Sequence, residues 1–307
     1  MKTIVTHPVN FHPDDIFGVA TLLILLKKTA PKEKIKILRS TDPKVWAKGD
    51  FVLDIGRQYV PAKNLFDHHQ EGGAGERPNG GIPYASVGLI WKKFGKKIAG
   101  SQSLADYVDE KLISVIDADD NGILLYTAIR EDIVPIPLER YVYMQVQVAR
   151  RKFEISHNEK EFDKKFMELL PWAESVITHF IENGKYKEKV KKIADKIYKK
   201  AKDKRVMVMD EYIGFDFSEF PEPLVVVYPD IRSPGNWGAK GVQTGTLDKS
   251  DLRFKFPKPW RGKNTPAELA KASGVADAYF CHNAGFLAVA KSKKGILEMV
   301  EKAISVL

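Results

Sequence analysis

The first candidate site is a set of imidazoles and carboxylates that fall within nine residues near the start of the chain: His7, His12, Asp14 and Asp15. Apolar runs lie directly before and after this set, which predicts a strand over 3–6, a short loop and a buried helix over 13–28. An α/β sheet presents its functional site at the carboxyl ends of its strands. Aspartates at a helix start often only complement the helix dipole. The two accompanying histidines favour a ligand site, provided that partners occur further along the chain.

Such partners follow two further predicted strands and one predicted helix: Asp54, Asp67, His68, His69 and Asp117. In a parallel sheet the carboxyl ends of the strands share one edge, so these distant positions can converge. Imidazole and carboxylate ligands without thiolates suit Mn²⁺, Zn²⁺, Fe²⁺ or Mg²⁺. About six ligands are too many for a single ion, so we expect two ions that share a carboxylate, an arrangement used for phosphoryl transfer.

The elements that must position these side chains alternate between strand and helix in the first half of the chain. Strands are predicted over 3–6, 36–39, 51–55 and 65–66, and helices over 13–28, 84–94, 104–116 and 159–181. This alternation predicts an α/β fold with a doubly wound, mostly parallel sheet. In the last third, strands over 206–209, 224–228, 278–281 and 286–290 surround helices over 266–272 and 294–304, which predicts a second, smaller α+β domain.

The expected domain organisation has three parts. A metal-binding domain covers 1–184, a basic connecting helix covers 185–204, and the smaller domain covers 205–307. The connecting helix contains ten lysines. Its default interpretation is a solvated helix between domains, and a nucleic-acid groove is the alternative.

The composition is that of a globular protein, with 44% hydrophobic and 29% charged residues in a chain of 307. The net charge of +9 fits a polyanionic partner and, equally, a heat-adapted surface rich in Lys and Glu. The single cysteine, Cys281, excludes a disulfide within the chain and favours the reducing cytoplasm. The apolar run over 16–26 is too short to span a bilayer, so no membrane association is expected.

Six short motifs occur in order along nearly the whole chain, each weak alone and strong together: His7-x4-His12-x-Asp14-Asp15, Asp54-Ile-Gly56, Asp67-His-His-Gln70, Asp117-x2-Asp120-Asn-Gly122, Trp260-Arg-Gly262 and His282-x2-Gly285-Phe286. With these motifs the sequence resembles the melanocyte proliferating gene (Myg) family, within the DHH phosphoesterase superfamily of exonucleases, oligoribonucleases and family II inorganic pyrophosphatases. The resemblance implies a DHH-like catalytic domain and a substrate-clamping second domain. One departure is Pro8-Val9, where the family usually has Asn-Gly.

The resemblance also implies roles for individual residues. One ion would be held by His7, His12 and Asp54, and the other by Asp14, Asp54, His68 and Asp117, with Asp119 and Asp120 as alternatives to Asp117. His69 would face the substrate phosphate, and Asp67 would orient a neighbouring imidazole. The expected cofactor is a pair of divalent ions, Mn²⁺ first and Mg²⁺, Zn²⁺ or Fe²⁺ as alternatives. A hydroxide shared by the ions would be the nucleophile.

In the second domain, the resemblance implies that Arg261, His282 and Gly285 bind a phosphate or the terminal nucleotide across the cleft. The planar guanidinium of Arg matches the oxygens of a phosphate, which suits this role. Without the resemblance, these residues would be interpreted as a glycine turn and a buried histidine.

The favoured function is therefore a two-metal-dependent phosphodiesterase that trims RNA in the 3′ to 5′ direction. One alternative is a phosphohydrolase of small substrates, such as pyrophosphate or dinucleotides, with the same metal site. A nucleic-acid-binding protein with a structural metal is disfavoured, because structural sites are normally closed with four ligands. The basic connecting helix favours the first function. Single-stranded RNA or short oligonucleotides are the expected partners, and a homodimer is left open.

Overall fold

The computed structural model describes residues 1–78, 81–127, 130, 132, 135–246, 248 and 250–306. The chain divides into two compact units, Met1–Lys185 and Tyr186–Leu307. Within the described residues, each unit contains a five-stranded sheet and hydrophobic clusters of its own. The predicted α/β class is confirmed in this form, as a mixed α/β protein with two sheets.

The first sheet is built from short strands: β1 (Lys2–Thr6), β2 (Ile35–Arg39), β3 (Phe51–Leu53), β4 (Tyr59–Val60) and β5 (Leu65–Phe66). Their order across the sheet is β2-β1-β3-β5-β4. β1 pairs in parallel with β2 and β3, and β3 pairs in parallel with β5, whereas β4 is an antiparallel edge strand. The carboxyl ends of β1, β3 and β5 therefore lie side by side on one edge.

The helices of the first unit are α1 (Pro13–Thr29), α2 (Pro43–Trp46), α3 (Ser86–Ala99), α4 (Gln102–Val108), α5 (Ser114–Asp120), α6 (Leu138–Ser156) and the start of α7 (Lys160–Lys200). α1 is the predicted core helix, and Ile16, Phe17 and Leu22 on it are fully buried. The helix predicted over 104–116 is confirmed as α4 and α5, joined by a π-helical turn over Asp109–Ile113. The sequence did not predict α6.

The helix α7 is continuous over 41 residues. It includes both the helix predicted over 159–181 and most of the connecting helix predicted over 185–204. The boundary between the two units falls within it, after Lys185. None of the helices in the described part of the chain is long and apolar enough to cross a membrane.

The second sheet comprises β6 (Val206–Val208), β7 (Val225–Pro229), β8 (Trp237–Gly241), β9 (Ala278–Cys281) and β10 (Leu287–Ala290), accompanied by α8 (Pro266–Ser273) and α9 (Lys293–Ile304). The strand order is β6-β7-β8-β10-β9, with β6 and β7 parallel and the other pairs antiparallel. The predicted strands and helices of this part are confirmed. The sequence missed β8, which contains two glycines and is stabilised by pairing with strands on both sides.

Candidate metal centre

Three parallel strands end at one edge of the first sheet, and polar side chains follow each of them. β1 is followed by His7, β3 by Asp54, and β5 by the run 67–69. The backbone N–H of Asp54 donates to the carbonyl of Phe66 at 3.0 Å, which fixes the end of β3 against the end of β5. The structure thus brings together side chains from His7 to His69, which are far apart in the sequence.

The first set of possible ligands lies around the start of α1. Its ligand atoms are within 4.8 Å of one another and come from His7, His12, Asp15 and Asp54. His7 Nε2 lies 2.7 Å from Asp15 Oδ2 and 3.2 Å from Asp54 Oδ2. Burial alone would lower the pKa of His7, but these two carboxylates raise it to about 11. The sequence did not predict Asp15 as a ligand.

Asp54 connects this first set of ligands to a second set, which it forms with His68 and His69. Its other oxygen, Oδ1, lies 3.5 Å from His68 Nε2 and 3.4 Å from His69 Nδ1. Burial would raise the pKa of Asp54, but hydrogen bonds with His68 and His7 hold it well below its usual range. The backbone of Asp54 has φ +55°, a left-handed conformation that Asp adopts more readily than most residues. This turn directs the carboxylate so that each oxygen faces a different set of imidazoles.

The third set combines Asp14, His68 and Asp120. Asp14 is fully buried in the first turn of α1, and its two oxygens accept hydrogen bonds from the backbone N–H groups of Ser86 at 3.1 Å and Val87 at 2.6 Å. Despite these bonds, burial and the neighbouring carboxylates raise the pKa of Asp14 well above its ordinary value. Negative charge is therefore crowded at this point, and a bound cation would relieve it.

Two carboxylates of α5 differ in their surroundings. Asp120 Oδ2 lies 3.1 Å from His68 Nε2. Asp117 is fully buried, lies 2.6 Å from Arg77 Nη1 and accepts the N–H of Gly88 at 3.1 Å. Burial raises the pKa of Asp117 to about 7, against the opposing effect of Arg77. Within the described residues Asp117 belongs to none of the ligand sets, so the role predicted for it stays a prediction, and Asp120 is the alternative that lies beside His68.

Asp67 fixes the more exposed histidine of the pair. Its Oδ1 accepts the backbone N–H of His69 at 3.0 Å and lies 2.9 Å from His69 Nδ1, while its Oδ2 accepts the backbone N–H of Arg57 at 2.6 Å. The side chain of His69 is 56% exposed, whereas that of His68 is 9% exposed. Because Nδ1 of His69 is engaged by Asp67, its Nε2 is the nitrogen available to a ligand.

The chemistry of these side chains fits divalent ions. In the described part of the chain, the buried side-chain atoms without a hydrogen bond of acceptable geometry include Asp15 Oδ1, His68 Nε2 and Asp117 Oδ2. Buried polar atoms almost always have a partner, so each orphaned atom calls for an explanation such as a bound ion. Carboxylate oxygens and imidazole nitrogens without thiolates suit Mn²⁺, Mg²⁺, Zn²⁺ or Fe²⁺. The clustered histidines and aspartates could therefore bind metal.

The residues predicted in the second unit lie on two adjoining loops. Arg261 Nε donates to the carbonyl of Phe256 at 2.7 Å, and the backbone N–H of Ala284 donates to His282 Nδ1 at 3.1 Å. Gly285 has φ +73°, and a Cβ at this position would lie 2.5 Å from Arg261 Nε. In the described residues Arg261 forms no ion pair with a carboxylate. Its guanidinium thus retains the capacity to bind an anion.

Fold and site together define a mixed α/β protein with clustered imidazoles and carboxylates that could hold divalent metal. The chain belongs to the family described as "Uncharacterised protein family (UPF0160)", whose model, named MYG1_exonuc, matches residues 3–304. The Myg family predicted from the six motifs is therefore confirmed.

Relatives in this family are distant in sequence but similar in length. A MYG1 protein of Schizosaccharomyces pombe is 25% identical over 98% of this chain and 97% of its own length. The human protein named MYG1 exonuclease is 25% identical over 98% of this chain and 85% of its own. A MYG1 protein of Chlamydia trachomatis is 24% identical over 97% of this chain and 94% of its own. No solved structure matches the chain.

Proposed function

We propose that this protein is a two-metal-dependent phosphodiesterase that removes nucleotides from RNA in the 3′ to 5′ direction. The observation that carries the proposal is the position of Asp54. One of its oxygens lies 3.2 Å from His7 Nε2 and the other lies 3.5 Å from His68 Nε2. A carboxylate between two sets of imidazoles is suited to be shared by two ions. The name of the human relative, MYG1 exonuclease, supports a nuclease activity.

The proposed ligands follow the sets around Asp54. One ion is held by His7, His12, Asp15 and Asp54, and the other by Asp14, Asp54, His68 and Asp120. Mn²⁺ is the first candidate, because the ligands combine imidazole nitrogen with several carboxylate oxygens. When bound, the two ions supply a hydroxide nucleophile and stabilise the charge on the phosphate. Asp117 is proposed not to bind an ion but to position α5 through its contact with Arg77.

The protein's own residues then provide orientation. Asp67 accepts a hydrogen bond from His69 Nδ1–H, and in its imidazolium form His69 also presents Nε2–H as a donor to a phosphate oxygen. The buried hydrogen bonds from Ser86 and Val87 hold Asp14 in one position. Fixed groups of this kind stabilise a charged transition state without reorganising.

We also propose a DHH-like, doubly wound arrangement of the first unit. Since the single cysteine, Cys281, is free and buried, we propose a cytoplasmic location.

The function is tested by assaying the Mn²⁺-loaded protein on single-stranded RNA, single-stranded DNA, dinucleotides and pyrophosphate. Shortening of 5′-labelled RNA one nucleotide at a time, and its loss when the 3′ end is blocked, are the expected results. Hydrolysis of pyrophosphate or dinucleotides without RNA shortening would replace the proposal with a small-substrate phosphohydrolase. Absence of hydrolysis with Mn²⁺, Mg²⁺, Zn²⁺ and Fe²⁺ would overturn the phosphodiesterase assignment.

The two histidines that follow Asp67 are expected to respond differently to substitution. His68→Ala should weaken metal binding in a titration, because His68 Nε2 lies between Asp54 and Asp120. His69→Ala should leave metal content unchanged and lower kcat about a hundredfold, the effect of losing one donor to a charged transition state. His179→Ala, on the exposed surface of α7, is the control and should change neither quantity. Loss of metal in His69→Ala alone would mean that the two roles are reversed.

Arg261 is proposed to bind a phosphate of the RNA, and Gly285 to leave room for it. Arg261→Ala and Gly285→Ala should each lower kcat/KM on oligoribonucleotides by about tenfold to a hundredfold, since a charge-assisted hydrogen bond contributes ~1.5–3 kcal/mol. Hydrolysis of a small chromogenic diester should stay near that of the unmodified protein.

The matched control for Gly285→Ala is Gly235→Ala. Gly235 also has a positive φ, +96°, but a Cβ there would have no neighbour within 4 Å. Both substitutions introduce the same kind of backbone strain, and only Gly285→Ala displaces the guanidinium. His282→Ala should behave like Arg261→Ala if His282 contacts the same substrate. Equal losses on the diester and on RNA would place these residues in the folding core instead.

A further inference from the structure

An apolar pocket of about 660 Å³ lies in the first unit, with walls from the start of α1, from α5, from the segment 123–127 and from the start of α6. This volume is within the range of pockets that bind small molecules or cofactors. Its walls include Pro13, Val115, Asp119, Tyr126 and Glu139.

The pocket exposes large apolar side chains. Leu124 is 80% exposed, Leu125 48%, Tyr126 43% and Val115 41%. Scattered apolar residues are normal on a protein surface, but several that line one concave site mark a binding surface. The occupant must therefore be at least partly apolar.

Two wall residues of the pocket are direct chain neighbours of residues in the candidate metal centre. Pro13 lies between His12 and Asp14 in the chain, and Asp119 directly precedes Asp120. A molecule in the pocket would lie next to the residues proposed to hold the ions.

Two carboxyl groups, those of Asp119 and Glu139, interrupt the mostly apolar lining of the pocket. Carboxyl groups recognise the amino and imino N–H groups of nucleobases, and an aromatic ring such as that of Tyr126 stacks on a base. An apolar pocket lined by one aromatic ring and two carboxyl groups matches the chemistry of a nucleobase.

We propose that this pocket binds the base of the terminal nucleotide, the one whose phosphodiester bond is hydrolysed at the metal centre. The proposal rests on the proposed function for its substrate class, because RNA supplies a base attached to the reacting phosphate. It adds a binding site to the first unit, separate from the phosphate contact proposed for Arg261. Stacking is tolerant of sequence, so all four bases should enter, and the carboxyl groups should favour guanine, adenine and cytosine, which carry an exocyclic amino group, over uracil.

The direct test measures binding of free nucleosides, which lack the phosphate, to the metal-free protein by calorimetry. Guanosine and cytidine should bind, whereas ribose 5-phosphate, which lacks the base, should bind at least tenfold more weakly. Val115→Trp places a large ring in the pocket and should weaken nucleoside binding by at least tenfold. The control is Val148→Trp on α6, a residue that is 38% exposed and does not line the pocket.

Kinetics give the second test. Val115→Trp should raise KM for RNA by about tenfold to a hundredfold, the range expected for losing one stacked base, and leave the small diester unaffected. Glu139→Gln should alter the relative rates among the four homopolymers while metal content stays constant. Tyr126→Ala serves as a second variant if Val115→Trp does not fold, and it should raise KM in the same direction.

The outcomes separate this proposal from the proposed function. RNA hydrolysis without nucleoside binding, and with KM unchanged in Val115→Trp and Tyr126→Ala, would overturn the pocket and leave the phosphodiesterase intact. Nucleoside binding that Val115→Trp abolishes, without hydrolysis of any phosphodiester, would support the pocket and overturn the function. A concentration-dependent dimer that Val115→Trp dissociates, with no nucleoside binding, would assign the surface to a second copy of the chain.

Discussion

Asp54→Asn is expected to lower hydrolysis of RNA by about a hundredfold to a thousandfold or more, the range seen when one fixed charge-stabilising group is removed from an active site. The amount of bound Mn²⁺ should fall from two ions per chain towards one or none. The reason is that each oxygen of Asp54 faces a different set of imidazoles, so one substitution affects both ions. Metal analysis after gel filtration and a rate assay with excess Mn²⁺ measure the two effects.

Asparagine is the right replacement because of the backbone at this position. Asp54 has φ +55°, and Asn adopts the left-handed region more readily than Ala or Leu. The turn after β3 should therefore persist, and the circular dichroism spectrum should not change. In the metal-free protein the carboxylate lies between His7 and His68, so its loss should lower the melting temperature rather than raise it.

Asp195→Asn is the matched control. Asp195 pairs with Lys191 at 2.6 Å on the surface of α7, where an i,i+4 ion pair contributes little. This variant should keep two ions and full activity. An Asp54→Asn protein that still binds two Mn²⁺ and hydrolyses RNA at the normal rate would rule out Asp54 as the shared ligand.

The second large effect should distinguish Asp117 from Asp120. Asp117→Asn should destabilise the metal-free protein by roughly 3 kcal/mol, because it breaks the buried ion pair with Arg77. This value is the lower end of the usual range, because Arg77 keeps its bidentate contact with Asp109. Asp120→Asn should change the stability of the metal-free protein little and remove one ion. Chemical denaturation in the presence of a chelator and metal titration make the comparison.

The reverse pattern would restore the assignment made from the sequence. If Asp117→Asn loses metal at unchanged stability while Asp120→Asn keeps both ions, Asp117 is the ligand and Asp120 is a bystander. Arg77→Met provides an independent check, because it removes the partner of Asp117 without touching a proposed ligand. It should lower stability as Asp117→Asn does and leave the number of bound ions unchanged at low temperature.

The sequence predicted the elements around the first part of the candidate site because their signals are local. A short apolar run, a loop with two histidines and a proline at the first helical position together predicted β1 and α1. Residues at the ends of predicted strands were expected to converge, and the structure brings Asp54 and His68 together. The family was recognised because its motifs combine these same side chains over nearly the whole chain.

What the sequence could not provide depends on contacts between distant segments. Asp117 and Asp120 lie one helical turn apart at the end of α5, and neither sequence nor spacing says which faces His68. The neighbours that fix the position of Asp117 are Arg77 and Gly88. A Cβ added at Gly88 would lie 1.8 Å from Asp117 Oδ2. A glycine inside the predicted helix over 84–94 was the available signal for this close approach.

The helix α6 was missed for a different reason. Its buried residues Val142, Val146 and Ala149 follow a helical spacing, but exposed apolar side chains between them obscure the pattern. β8 was missed because glycines weaken a strand signal, and its pairing with β7 and β10 is not visible in its own residues. The sequence does not show which of the adjacent Asp14 and Asp15 faces His7, because that depends on the direction of each side chain in the first turn of α1.

The hydrogen bonds between Asp14 and the start of α3 have a consequence for biosynthesis. A nascent chain that has emerged only as far as α2 carries His7 and His12, but not the N–H groups of Ser86 and Val87 that hold Asp14, nor Asp120. Under the proposed ligand assignment, the ion held by Asp14, Asp54, His68 and Asp120 can be loaded only after the ribosome has synthesised residue 120. Because a ligand that binds only the folded state stabilises it by mass action, the supply of metal at that moment would set how much newly made protein remains folded.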